Sequence, residues 1–173
     1  MTIRIDDVHA IRLIASAAAI QFVPGIHHCI ADYTESDQLK GGVLFTDYWG
    51  NGGSCQIHMA GFRKNWVSKS MLYLAFHYPF QQLGVKKLFG LVPERNHVAR
   101  NSNLRLGFIV EYLAEDVFNH ADGVNGMYLM SMRKEACKWL NMKMPLTEYA
   151  SESRTSVVRA LATMPAYNNL PAE

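Results

Sequence analysis

The hydrophobic period of the chain changes at Gly61, and this change constrains the fold more than any other feature. Before it, two strand-like runs at residues 42–49 and 54–60 are joined by a turn at 50–53 that is rich in glycine, which favours an antiparallel hairpin. After it, apolar residues from Val67 to Tyr78 recur at helical spacing and cover most of the helix surface. The sequence therefore predicts a hairpin followed directly by a buried helix.

The other segments alternate between strand and helix character. Residues 2–5 read as a strand, and Asp6 or Asp7 caps a helix that ends by Pro24 and Gly25. The later predictions are one more short helix with a polar loop in 26–40, a strand at 86–92, a helix in 93–106, strands at 107–117 and 126–132, and a short helix at 133–140. A strand, a helix and a strand in this spacing indicate a parallel crossover, so we expect a mixed α/β fold.

The length of 173 residues fits one domain of ordinary size, which we place at residues 1–140. Residues 141–173 differ in character: a weakly amphipathic helix with Val157, Leu161 and Met164 on one side is followed by a tail with little to bury. We interpret this part as a C-terminal helical appendage that contacts a protein partner or a second copy of the chain.

Composition excludes several classes of protein. Hydrophobic residues make up 49% of the chain and are spread along it, which excludes an intrinsically disordered protein. The 17 Lys+Arg and 15 Asp+Glu give a net charge of only +2, so we expect no nucleic-acid partner. The uncharged stretch 13–31 contains Pro24, Gly25 and two histidines, which excludes a spanning helix. Acidic residues precede it and no apolar core leads to a cleavage site, which argues against a secretion signal, and we expect a cytoplasmic protein.

The cysteines do not form a recognisable framework. Cys29, Cys55 and Cys137 lie far apart without a CxxC pair, which predicts reduced and mostly buried thiols. His27, His28 and Cys29 are adjacent rather than at metal-ligand spacing, so no metal site is expected.

The junction between the second hairpin strand and the helix is a candidate phosphate site. It carries Arg63, Lys64 and Asn65 just before a predicted helix start near Trp66, with Lys69 following. The first turn of a helix exposes backbone N–H groups and a positive partial charge, which together hold a phosphate without a specific side chain. The same residues also fit solvated charges beside a helix N-terminus.

The order of elements and three stretches of sequence resemble the GCN5-related N-acetyltransferase (GNAT) family, in particular its short phage-encoded members, over residues 3–140. The stretches are 41–61, 76–85 and 96–108. The last is the most specific, because Asn96 and Ala99 match an Asn-x-x-Ala motif and are followed by Leu106-Gly107-Phe108 at the expected separation. The resemblance implies a mostly antiparallel sheet with a central parallel strand pair, flanked by helices.

The resemblance also implies the cofactor acetyl-CoA. In the family its pantetheine arm pairs with the strand before the phosphate loop, which here implies the backbone of Ile57 and His58. Its pyrophosphate binds the loop amides, and Asn96 joins the expected cofactor contacts. The loop positions are Arg63, Lys64, Asn65, Trp66, Val67 and Ser68.

Two features depart from the family pattern. Trp66 and Ser68 stand where the family's loop has small residues, so the indole is a candidate obstruction to a phosphate. Asn103 occupies the position of a tyrosine that protonates the leaving thiolate in many members, and an asparagine side chain cannot act as that acid.

Three residues are candidates for the chemistry: His58, Glu111 and Asn103. Strand alternation places Gln56, His58 and Ala60 on one face, so His58 is either a base facing the acceptor or a structural histidine. Glu111, together with Tyr112 and Asp47, either lines an acceptor groove or is a solvated strand residue.

Two functions follow from these observations. The first is an acetyl-CoA-dependent N-acetyltransferase that transfers an acetyl group directly to an amine of a protein or small molecule. The alternative is a catalytically inactive GNAT-fold protein with a structural or interaction role, such as a phage virion or host-interaction component, located in the virion or the host cytoplasm.

Overall fold

The computed structural model describes residues 2–50, 52–120 and 123–143. Seven strands form one sheet in the order β1-β2-β3-β4-β5-β7-β6, and every neighbouring pair is antiparallel except β4 and β5. The strands are β1 Thr2–Ile5, β2 His28–Tyr33, β3 Leu39–Thr46, β4 Ser54–Gly61, β5 Lys87–Pro93, β6 Ile109–His120 and β7 Gly123–Arg133. The helices are α1 Val8–Ala18, α2 Lys69–His77 and α3 His97–Leu106. The predicted mixed sheet with a parallel pair, flanked by helices, is confirmed.

Helices pack on both faces of the sheet, and we name each face after the helix that covers it. On the α1 face, Ile11 and Ile14 are buried against Cys29 and Leu44. On the α2 face, Leu74 and Phe76 join Val43, Phe45 and Ile57 in the larger core cluster, and Leu106 of α3 packs against that cluster. Alternate residues of the strands therefore belong to different cores, as the period-two pattern of β4 predicted.

The parallel pair is short. Only Ser54, Cys55 and Gln56 of β4 stand in register with Lys87, Leu88 and Phe89 of β5. Beyond these pairs β4 runs on to Gly61 and β5 to Pro93, and β5 continues to pair with β7 on its other side. The two central strands therefore diverge after Gln56 and leave a gap between their carboxyl ends.

One predicted helix is a strand. Within the stretch 26–40 the chain forms β2, paired with β1 and β3, rather than a short helix. All six residues of β2 are buried, including His28 and Asp32, because both faces of this strand are covered. A strand buried on both faces shows no polar alternation, and this removes the signal on which the sequence reading relied.

The segment after β7 also differs from expectation, and α2 ends in an unusual turn. Pro79 lies in a π-helical turn, Tyr78–Gln82, that continues α2. The helix predicted at 133–140 is instead two short 3₁₀ turns, Lys134–Ala136 and Lys138–Asn141. Trp139 in the second turn stacks on Phe76 and donates from Nε1 to the carbonyl oxygen of Leu106 at 2.7 Å, which fixes this segment on the α2 face.

Several expectations concern residues outside the described part of the chain. The predicted appendage lies there from residue 144 onward, and so do Asn51 of the hairpin turn and Asp122. Within the described part, all three cysteines are buried and free, as predicted. None of the described helices is long and apolar enough to cross a membrane.

The N-terminus of α1 generates a prediction about stability. Oδ1 of Asp7 accepts from the backbone N–H of Ala10 at 2.9 Å and from the Tyr33 hydroxyl at 2.6 Å. We expect Asp7→Ala to lower the free energy of unfolding by about 1–3 kcal/mol, because it removes both an N-cap and a side-chain hydrogen bond. Tyr33→Phe removes only the second bond and should cost about 1 kcal/mol. Urea denaturation measures both, and an equal loss in the two variants would contradict a capping role for Asp7.

Candidate functional site

The gap between β4 and β5 is the central feature of the candidate site. Ile57 is the first β4 residue beyond the parallel register, and its carbonyl oxygen faces β5 at Gly90. A Cβ added at Gly90 would lie 3.3 Å from that oxygen, so the two strands are still close at this level and separate beyond it. The register pairs no further residues of β4 with β5 beyond Gln56 and Phe89.

The loop at the end of β4 leads from this gap into α2. The N–H of Phe62 bonds the carbonyl oxygen of Lys40 at 2.9 Å, and Asn65 adopts a left-handed conformation with φ of 56°. The helix begins at Lys69, three residues later than predicted, because Ser68 is its N-cap and accepts from the N–H of Met71 at 3.1 Å. The loop between β4 and α2 is therefore longer than the sequence indicated, and Lys64, Asn65 and Val67 are exposed along it.

The indole of Trp66 packs on the sheet. Gly41 and Gly61 face each other on β3 and β4, and a Cβ at either position would overlap the Trp66 ring. The indole therefore covers the β3–β4 pair, whereas the gap lies on the other side of β4. The two glycines therefore accommodate the ring that the sequence analysis identified as a candidate obstruction.

A buried ion pair lies behind the loop. Asp32 of β2 is fully buried, and Lys40 donates to its Oδ2 at 3.1 Å. Burial raises the pKa of Asp32, and hydrogen bonds from Lys40 and Ser68 oppose that rise. The Ser68 contact places this carboxylate beside the N-terminus of α2, where the helix dipole favours a negative charge.

The basic residues of the loop have different roles. Arg63 donates to Oε1 of Gln38 and is therefore directed toward the β2–β3 loop. Lys64 is exposed, and Lys69 is the first residue of α2. The positive field at the helix N-terminus thus comes from these two lysines together with the helix dipole.

His58 lies on the α1 face of β4 and belongs to a polar cluster with Thr46, Asp47 and His27. The hydroxyl of Thr46 donates to Oδ2 of Asp47 at 2.9 Å and lies 2.9 Å from Nε2 of His58. Burial lowers the pKa of His58 to about 4, with Asp47 opposing and His27 reinforcing the shift. His58 is therefore uncharged at neutral pH.

The tautomer of His58 follows from the same contacts. The Thr46 hydroxyl has one hydrogen, and it goes to the Asp47 carboxylate, which can only accept. The Thr46 oxygen must then accept from Nε2–H of His58. The lone pair of neutral His58 is consequently on Nδ1.

Glu111 lies away from His58. It is on β6, and the order β4-β5-β7-β6 separates the two residues by three strand spacings, about 14 Å. Its Oε1 accepts from Nζ of Lys87 at 2.6 Å and from the Ser131 hydroxyl at 2.7 Å, and these bonds lower its pKa. The structure therefore does not bring the two candidate catalytic residues together.

The two asparagines of α3 have different surroundings. Oδ1 of Asn96 accepts from the N–H of Ala99 at 3.0 Å, so the Asn-x-x-Ala spacing is an N-cap for α3. Nδ2 of Asn103 lies 3.9 Å from Sδ of Met130, which pairs with Gly90 in the sheet. Asn103 is thus near the gap, and Asn96 is exposed at the start of its helix.

The sequence reading missed Thr46. It is twelve positions from His58, and only the β3–β4 register brings the two side chains together. His27 was considered only as a metal ligand; no cluster of three or more metal-binding side chains occurs among the residues that the structure describes.

Comparison with known proteins identifies solved structures that have a similar fold. No family model matches the chain, and no curated protein sequence matches it either. A spermidine/spermine N-acetyltransferase from Vibrio cholerae, solved with manganese ions, superposes with a TM-score of 0.63 at 14% identity, covering 78% of this chain and 92% of that one. A dodecameric structure of the spermidine N-acetyltransferase from Vibrio cholerae gives 0.63 at 15% identity, covering 81% and 96%.

A chimera of the Vibrio cholerae enzyme and hSSAT gives a TM-score of 0.64 at 16% identity over 81% of this chain and 98% of that one. These neighbours are GNAT-family acetyltransferases. At such identities the likeness concerns the fold alone.

Proposed function

We propose that this protein is an acetyl-CoA-dependent N-acetyltransferase that transfers the acetyl group directly to an amine. The observation that carries the proposal is the gap between β4 and β5, which opens next to a basic loop and the N-terminus of α2. A thioester cofactor needs both a cleft for its extended arm and donors for its pyrophosphate. The fold of the neighbouring acetyltransferases supports the same conclusion.

The residues present fit such a cofactor. The backbone of Ile57 faces β5 and would hold the extended arm, whereas the backbone of His58, the next residue along β4, faces β3. The amides of residues 63–68, with Asn65 in a left-handed turn, would hold the pyrophosphate. When bound, acetyl-CoA supplies an activated acetyl group on a thioester.

His58 is the proposed base. Because Thr46 holds Nε2–H, Nδ1 keeps the lone pair that accepts a proton from the acceptor amine. A histidine with a pKa near 4 is a weak base, which suits an α-amine better than a lysine amine, because the α-amine has the larger neutral fraction at neutral pH. Thr46 is a positioning residue in this scheme, and Asp47 orients its hydroxyl.

A second candidate is a scaffold that keeps the fold without the chemistry, for instance in a phage particle. Asn103 favours it, since its amide faces Met130 and offers no acid for a leaving thiolate. Acetyl-CoA binding decides between the two candidates, because a scaffold without the chemistry has no need of a nucleotide thioester.

Cofactor binding tests the proposal directly. We expect acetyl-CoA to bind in calorimetric titration and to raise the melting temperature. Lys64→Glu should weaken binding about 3- to 10-fold, through the reversed charge beside the pyrophosphate, and the effect should shrink at high salt. Arg12→Glu, at an exposed residue of α1 on the opposite face of the sheet from α2, makes the same change in net charge and serves as the matched control. The absence of heat and of a melting shift in the wild-type protein would refute the proposed function.

The arrangement of Thr46 and His58 gives a separate prediction. Thr46→Val should lower kcat at least about 10-fold while the KM for acetyl-CoA stays unchanged, and Thr46→Ser should restore most of the activity. Because the pKa of His58 is about 4, the wild-type rate should show no loss from protonation of this residue between pH 6.5 and 5. Steady-state kinetics across this range measures both, and equal activity of the Val and Ser variants would contradict the positioning role.

A further inference from the structure

None of the helices in the described part of the chain covers the whole α1 face. Helix α1 packs on β2, β3 and β4, while β5, β7 and β6 extend beyond it. The strand register places side chains of these three strands next to each other on this face in two rows. The rows are Phe89, Ser131 and Ile109, and Leu91, Leu129 and Tyr112. We call these six residues the acceptor face.

The acceptor face is apolar and open. Leu91 is 47% exposed, Ile109 60% and Tyr112 64%, although they are neighbours across three strands. The polar member, Ser131, is buried and donates its hydroxyl to Glu111. A contiguous exposed apolar surface of this kind marks a binding site more often than a free surface.

The charges beside the acceptor face compensate each other. Glu111 and Lys87 form an ion pair at 2.6 Å, and the Ser131 hydroxyl donates a hydrogen bond to the same carboxylate. A polycation approaching this surface would have to break that pair to gain a carboxylate partner. An uncharged apolar group gains free energy from burial alone.

The acceptor face continues to the gap. Phe89, the first residue of one row, stands in register with Gln56, the last β4 residue before the strands diverge. His58 lies two positions further along β4 and on the same face of the sheet. A ligand lying on the acceptor face therefore reaches the gap on the face of the sheet that carries the His58 side chain.

We propose that the acceptor face binds the N-terminal residues of a polypeptide whose first side chains are apolar, with its α-amine at the gap. This inference rests on the proposed function. The surface is an open sheet that suits an extended peptide, and an α-amine, with an ordinary pKa near 7.8, suits a weak base. In the reaction the amine nitrogen forms an amide bond with the acetyl carbon, the carbon–sulfur bond breaks, the amine proton passes to His58, and the thiolate takes a proton from water.

The test measures peptide binding and turnover separately. A six-residue peptide with Leu and Phe at its first two positions and a dye at its C-terminus is titrated with the full chain, and fluorescence anisotropy reports binding. We expect it to bind at least about tenfold more tightly than the same peptide with Asp and Glu at those positions. Leu91→Glu should weaken binding to a similar degree. Val8→Glu, at a 62% exposed valine of α1, is the matched control and should have no effect.

Competition and sedimentation experiments give the outcomes that would overturn the inference. Displacement of the peptide by spermidine, equal binding of the two peptides, no binding of either, or no effect of Leu91→Glu would overturn the inference. A dimer that Leu91→Glu dissociates in sedimentation would also overturn it, because a second copy would then occupy the acceptor face. Thiol release from acetyl-CoA is followed in parallel, so that peptide binding without turnover contradicts the proposed function and leaves the acceptor face intact.

Discussion

The register of the central parallel pair determines the rest of the structure. Hydrogen bonding between β4 and β5 ends after three residue pairs, while β5 remains bonded to β7 and β4 to β3. Two well-anchored strands are thus forced apart in the middle of the sheet, where backbone groups are normally paired with each other. Strand backbone that lacks a neighbouring strand needs another hydrogen-bond partner, and we propose that the extended arm of acetyl-CoA supplies it.

The surroundings of the gap keep it open. Gly90 leaves no side chain between the strands, and the Trp66 ring is accommodated by Gly41 and Gly61 on the far side of β4. Ser68 caps α2 and holds its first turn at the end of the loop. Helix dipole, loop amides and cleft therefore converge on one side of the sheet, while His58 and the acceptor face lie on the other. Two ligands can approach such a site from opposite faces without competing for space.

Much of this fold could be predicted from the sequence because its signals are local. The hairpin, the alternation along β4 and the helix after it follow from periodicity and glycine-rich turns, and all three were predicted. The strand β2 could not be predicted, because its polar residues His28 and Asp32 are buried by tertiary packing. The start of α2 was misplaced because apolar Trp66 and Val67 fit a helical pattern, whereas the cap is set by Ser68.

The candidate site was less predictable than the fold. The backbone at Ile57 and the loop at 63–68 could be proposed from their place between a strand and a helix, and their roles as cofactor contacts remain proposals. The contact between Thr46 and His58 depends on the β3–β4 register, which pairs Thr46 with Gln56 and makes His58 its diagonal neighbour. The separation of His58 from Glu111 depends on strand order, in which β7 lies between β5 and β6. Neither the strand register nor the strand order can be read from the local sequence.

Hydrogen–deuterium exchange with and without acetyl-CoA tests the central claim most directly, since it reads the backbone amides themselves. The account predicts slower exchange at residues 57–70 in the presence of the cofactor, and unchanged exchange in β1 and β2. Unchanged exchange at 57–70, or protection confined to another part of the sheet, would contradict the claim that the divergence of β4 and β5 forms the cofactor site.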